Sequence, residues 1–141
     1  MNSIRRNRGF TLIELMLVMV ILAILAAIVV PKFAGRSEQA KVAAAKTDIA
    51  GIETALDAFE IDNGRYPSSD EGLPALMDAP SGLKNWKGPY LKRLPPDPWG
   101  QAYNYRFPGT HTTNGYDLYS YGPEGREGGV GQVDNWTVQN P

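Results

Sequence analysis

The chain has 141 residues, a formal net charge of −1 and no cysteine. That balance carries no electrostatic footprint for nucleic acid. The missing cysteine excludes disulfides, thiol nucleophiles and zinc–thiolate sites. Apolar residues make up 43% of the chain but are unevenly spread, nearly continuous from Phe10 to Val30 and then diluted by glycine, proline and tyrosine.

The first element is the segment around that apolar run. Arg5, Arg6 and Arg8 precede Gly9, and Glu14 is the only charge between Phe10 and Val30. As a helix this run reaches about 30 Å, one bilayer core. No comparable basic cluster directly follows it, so the positive-inside tendency predicts a cytoplasmic N-terminus and an exported remainder. A cleaved secretory signal has an apolar core of roughly 7–15 residues; this run is longer, and VVPKFAG is a poor cleavage site. The residues NRGF after Arg5-Arg6 fit a twin-arginine signal poorly. A plain signal anchor accounts for length and orientation, but not for Glu14 or for the place of Gly9. An acid in hydrocarbon costs about 2.5–3.5 kcal/mol on insertion scales, and such residues tend to be functional.

Pro31 ends the apolar run. Proline lacks an N–H and clashes with the carbonyl one turn back, so a kink or local unwinding is predicted near Ala27 to Pro31, with Gly35 a second weak point. From Ser37 to Asn63 the pattern is helical. Val42, Ala45, Ile49, Ile52, Leu56 and Phe59 recur at spacings of three and four and form one apolar stripe, with Lys41, Lys46, Asp48, Glu53, Asp57 and Glu60 mostly off it. Asp62 to Gly64 supplies the stop, Gly64 suiting a left-handed cap. The alanines of KVAAAK leave two readings open, core packing or close contact between helices of different subunits.

Arg65 to Pro98 holds seven prolines, which argues against long regular elements, although DEGLPALMD can make a short helix. QAYNYRF alternates Tyr103, Tyr105 and Phe107 on one side, and YDLYSY alternates Tyr116, Leu118 and Ser120 against Asp117, Tyr119 and Tyr121. The turn-rich PGTHTTNG between them predicts an antiparallel hairpin. A last short strand or extended tail includes Trp136. The predicted fold is α+β, a long N-terminal helix packed on a small antiparallel sheet. His111 sits in a polar turn without a partner visible in the sequence and reads as a surface residue. NWT at Asn135 matches a glycosylation sequon, a pattern frequent by chance.

The stretch RGFTLIELMLVMVILAILAAIVVP resembles the N-terminus of type IV pilins and of the pseudopilins of type II secretion. The resemblance implies cleavage by a prepilin peptidase after Gly9 and N-methylation of the new first residue, Phe10. It also gives Glu14 a role. Cleavage creates an α-amine, a group that ordinarily titrates at about 7.7–8.0 and so is largely cationic at neutral pH. In this family the acid neutralises the terminal amine of a neighbouring subunit. Pro31 is implied to lie where the helix can melt and stretch as subunits enter a filament.

The second half narrows the resemblance. DNGRYPSSDEGLPAL, GPYLKRLPPDPWGQAYNY and GYDLYSYGPEGREGG with a late NW are similar to the major pseudopilin family of the type II secretion system. Pilus-forming pilins usually carry a C-terminal disulfide loop, which this cysteine-free chain cannot make. The family binds one Ca²⁺ in the last loop with backbone carbonyls and acids. Carried over, the ligands are the carbonyl of Tyr121 and the side chains of Glu124 and Asp134. The chain departs from the family here: aspartate is usual where Glu124 stands, and the segment before Asn135-Trp136 is usually longer and richer in aspartate, whereas here only Asp134 and the neutral Gln132 remain.

The domains implied are a leader, 1–9; a membrane-spanning and filament-core helix, 10–30; its amphipathic continuation, 31–63; and a periplasmic globule, 64–141. The implied function is the major structural subunit of a filament that drives export of folded proteins across the outer membrane, with no enzymatic activity. The implied partners are further copies of the chain, minor pseudopilins, the prepilin peptidase, the inner-membrane assembly platform and, before assembly, inner-membrane lipid; no nucleic acid is expected. The alternatives are a type IV pilin or minor pseudopilin serving adhesion, motility or DNA uptake, and a membrane-anchored periplasmic binding protein.

Overall fold

The computed structural model describes residues 9–113 and 115–137, without the side chains of 30–34. Arg5, Arg6 and Arg8, the basic flank of the apolar run, lie outside the described residues. Two units form, Met1–Ser37 and Glu38–Pro141.

In the first unit the helix α1, Leu12–Asn63, begins. Its stretch Leu12–Val29 has a mean hydropathy of 3.1 and none of it is buried. A helix that is apolar on every side needs lipid or other helices around it. The backbone stays helical through Ala27, Pro31 and Gly35, so the predicted local unwinding is not seen in the single chain. One proline removes one hydrogen bond and leaves the turns on either side to hold the helix.

In the second unit α1 carries the predicted stripe. Ala45, Ile49, Ile52, Leu56 and Phe59 are buried, Ala55 joins them, and Val42 packs at the edge. Ala45 therefore belongs to the core, whereas Ala43 and Ala44 are exposed. The helix stops where the sequence predicts: Gly64 has φ +72° and donates its N–H to the Glu60 carbonyl at 2.7 Å. DEGLPALMD makes a single 3-10 turn, Leu73–Leu76, whose Leu73, Ala75 and Leu76 enter the core. Three strands follow, β1 (Asn104–Arg106), β2 (Asp117–Ser120) and β3 (Val133–Asp134), in the antiparallel order β1-β2-β3. Tyr105 pairs with Leu118, and Ser120 with Val133. Tyr103, Tyr116, Leu118 and Val133 close the core with the α1 stripe. β3 ends two residues before Trp136, so that residue is not part of a strand.

An ion pair fixes the chain after the helix. Arg65 grips both carboxylate oxygens of Glu71, at 2.7 and 2.8 Å, and Glu71 also accepts the Ser68 N–H at 2.8 Å. The guanidinium, helped by the Ser68 donors and opposed by burial, holds the Glu71 carboxyl down to about 2. A carboxyl depressed by folding contributes stability that is complete above its unfolded value and lost as pH falls through its folded value. Thermal unfolding followed from pH 6 downwards is therefore expected to show Tm falling from about pH 4.5 towards pH 2. In Arg65→Met this part of the acid slope is expected to be smaller.

Candidate functional site

At the start of α1, Thr11 and Glu14 form a reciprocal cap. Glu14 Oε2 accepts the Thr11 N–H at 2.8 Å and lies 3.0 Å from the Thr11 hydroxyl, while Thr11 Oγ1 accepts the Glu14 N–H at 3.3 Å. This is a capping box, in which a threonine and an acid three residues later satisfy each other's free backbone donors. The carboxylate also stands at the positive end of the helix dipole. Threonine followed three residues later by glutamate is legible in FTLIE, although Glu14 stands out first as a charge misplaced in lipid. Gly9 and Phe10 precede the helix, both exposed.

The other predicted site lies in the last loop. Tyr121 precedes a 3-10 turn, Gly122–Glu124, which closes at Gly125 with φ +63°. Three buried polar side chains organise the turns around the sheet, two of them at the ends of this loop, and none stands out as a site by its residue type. Asp97, 3% exposed, accepts the N–H groups of Trp99 and Gln101 at 3.0 and 2.7 Å and the Ser120 hydroxyl at 2.5 Å. Ser120 Oγ in turn accepts the Gly122 N–H at 3.0 Å, so DPWGQ holds the root of the loop. Asn135, 5% exposed, donates to the Tyr116 carbonyl at 3.0 Å and accepts the Leu118 N–H at 2.9 Å. Its amide continues the β2 pairing where β3 has ended. Enclosed and fully bonded, it is not accessible as the acceptor that NWT suggests.

Asp117 is the third, 1% exposed on the sheet face opposite Leu118. It accepts the N–H and hydroxyl of Thr110 at 2.7 and 2.9 Å and the N–H groups of His111 and Thr112 at 3.1 and 3.2 Å. Burial pushes its carboxyl up, but the Thr110 and His111 donors outweigh burial and hold it well below the usual carboxylate range. His111, read from sequence as an unpartnered surface residue, lies 3.1 Å from Asp117 through Nδ1 and stacks on Trp136 at 4.3 Å. It is half-exposed but engaged on two sides.

Residues 32–137 match the family model described as type II secretion system (T2SS), protein G, and residues 4–30 match the prokaryotic N-terminal methylation motif. This chain belongs to the type II secretion system protein G family. It is 52% identical to the type II secretion system core protein G of Pseudomonas aeruginosa, over 94% of this chain and 96% of that one. To the core protein G of Vibrio cholerae it is 44% identical, over 99% of both chains. The major pseudopilin from the type 2 secretion system of enterohaemorrhagic Escherichia coli superposes with a TM-score of 0.66 at 33% identity, covering 74% of this chain and 89% of that one. The α+β expectation stands on the same comparison.

For a protein G chain the last loop raises the question of calcium at Tyr121, Glu124 and Asp134, and the two acids are engaged within the chain. Glu124 Oε2 is held by Arg126, 2.9 Å from Nε and 2.7 Å from Nη2. Asp134 Oδ1 accepts the Thr137 N–H at 2.8 Å as well as its hydroxyl, and Oδ2 faces the Gln132 amide at 3.4 Å. Among the described residues no three acid, histidine or cysteine side chains converge. Ca²⁺ takes six to eight oxygens, and here both carboxylates already have partners within the chain. As held here, the Glu124 and Asp134 side chains do not offer an ion convergent oxygens.

Proposed function

We infer that this chain is a structural subunit of the type II secretion pseudopilus, processed at Gly9 and polymerised through its apolar helix. The observation that carries the reading is the pairing of a capped, fully exposed apolar helix start with a globule of the protein G family. The match to the methylation motif supports cleavage after Gly9 and methylation at Phe10. Such cleavage leaves the new amine four residues from Glu14 in sequence. Within one subunit the Glu14 carboxylate has Thr11 as partner; between subunits the amine of a neighbour offers it a full charge. Two ions unwelcome in lipid then satisfy each other among packed helices, which draws subunits from the bilayer and fixes their axial register.

The chain sits in the inner membrane with its N-terminus cytoplasmic and its globule periplasmic, as the basic flank Arg5, Arg6 and Arg8 favours. Its work is mechanical rather than enzymatic. Growth of the polymer on an inner-membrane platform, with minor pseudopilins, pushes folded cargo outward. Mass spectrometry of the membrane-extracted protein is expected to find a chain beginning at N-methylated Phe10. An intact Met1 in cells with an active prepilin peptidase would overturn the processing. Deleting the gene is expected to strand exoproteins in the periplasm; normal secretion with lost adhesion or motility would favour a pilin instead.

A further inference from the structure

The last loop is filled from within. A Cβ placed on Gly122 would lie 2.5 Å from the Gly131 carbonyl oxygen and 3.0 Å from the Gln132 nitrogen, so the two arms of the loop touch backbone to backbone. Gly122 and Gly131 also have φ of +71° and +81°, which only glycine adopts without strain. On the inner side, a Cβ at Gly129 would meet Glu124 Cβ and Oε2, each at 3.1 Å. The Gln101 side chain covers Gly125 from outside.

The polar groups of the loop are paired with one another. The Gly129 N–H donates to the Arg126 carbonyl at 3.2 Å, and the Gln132 N–H to the Gly129 carbonyl at 3.3 Å. Gln132 is the bridge. Its Oε1 accepts the Gly128 N–H at 2.7 Å, and its Nε2 faces Asp134 Oδ2 at 3.4 Å. Arg126 brings a cationic group to Glu124 from two residues along the chain.

We propose that this pseudopilin closes its C-terminal loop with its own side chains, Arg126 on Glu124 and Gln132 between Gly128 and Asp134, and orders it without a divalent cation. The Arg126 guanidinium supplies beside Glu124 the positive charge that the acids of a glycine-rich loop would otherwise take from a metal. It offers fixed, planar N–H donors where an ion demands convergent oxygens. The Arg126 head group is largely solvated, so its pair with Glu124 contributes modestly. The Gln132 bridge holds two points of the loop at once.

The test is hydrogen exchange at the amides of residues 125–133 in the full-length protein in detergent, alongside its Tm, with chelator or with millimolar CaCl₂. Exchange and Tm of the unaltered protein are expected to be the same in both conditions. Arg126→Gln and Gln132→Ala are each expected to speed exchange in the loop, the latter by about threefold or more. Calcium is expected to restore neither variant. Slower loop exchange or a raised Tm of the unaltered protein in CaCl₂ would overturn the proposal, and that arm needs no variant to fold. Exchange in both variants equal to that of the unaltered protein would also overturn it. Either result leaves the secretion reading untouched, because the measurement requires no assembly.

Discussion

Glu14→Gln is expected to insert, to be processed after Gly9, and to fail to polymerise. The substitution keeps an oxygen that can accept the Thr11 N–H, so the cap at the start of α1 is largely preserved. What it removes is the charge. In the proposed filament the amine of a neighbouring Phe10 would then be buried without a counter-ion. Breaking one half of a buried ion pair costs about 3–5 kcal/mol, which is more than about a hundredfold in each subunit association. Repetition along a polymer multiplies that loss. The measurement is electron microscopy of sheared filaments with mass spectrometry of the membrane pool. Thr11→Val separates the two roles of the carboxylate, since it removes the hydroxyl but leaves the Thr11 N–H bond and the charge. It is expected to reduce assembly far less than Glu14→Gln. Equal loss in both variants would mean that the Thr11 hydroxyl matters to assembly as much as the Glu14 charge, and would overturn the separation of the two roles.

The second large effect concerns Asp117. Asp117→Ala is expected to destabilise the globule by about 3 kcal/mol, because it removes the buried carboxylate that accepts the N–H groups of Thr110, His111 and Thr112 and leaves its space unfilled. For a unit of this size that lowers Tm by about 10–20 °C. Asp117→Asn keeps one accepting oxygen but brings an NH₂ towards donors, so about half the loss is expected to remain. Calorimetry on the full-length protein checks both. The folded-state carboxyl is depressed, so its stabilisation is complete above the unfolded carboxylate value and declines as pH falls below it. The difference in Tm between the parent and Asp117→Ala is therefore expected to shrink on acidification. A constant difference down to about pH 3 would mean that the ionised state of Asp117 contributes nothing.

Much of the molecule follows from local pattern. The period of the stripe from Val42 to Phe59 determines which face of α1 is buried, because side chains three and four apart share one side of a helix. Alternation places Tyr116, Leu118 and Ser120 inward, because successive strand residues face opposite ways. Gly64 ends the helix because a left-handed residue there carries no Cβ penalty. The N-terminal segment is legible for a different reason: a long apolar run with one acid admits few environments.

The polar interior is not legible in this way. Asp117 alternates with the core residues and so reads as solvent-facing, yet the Thr110–Thr112 turn folds over it and supplies its donors. Asp97 and Ser120 are separated by 23 positions and meet only when the DPWG turn packs beneath β2. His111 finds Asp117 and Trp136, one six positions away and the other on the far side of the sheet's last strand. A buried polar group is stable only beside its partner, and partners distant in sequence leave no period to read. The calcium expectation turns on the same distinction. The number of acids in the last loop is a property of the sequence. Whether their oxygens point at a common centre or at Arg126, Gln132 and Thr137 is decided by the backbone path, which Gly122 and Gly131 allow to close on itself.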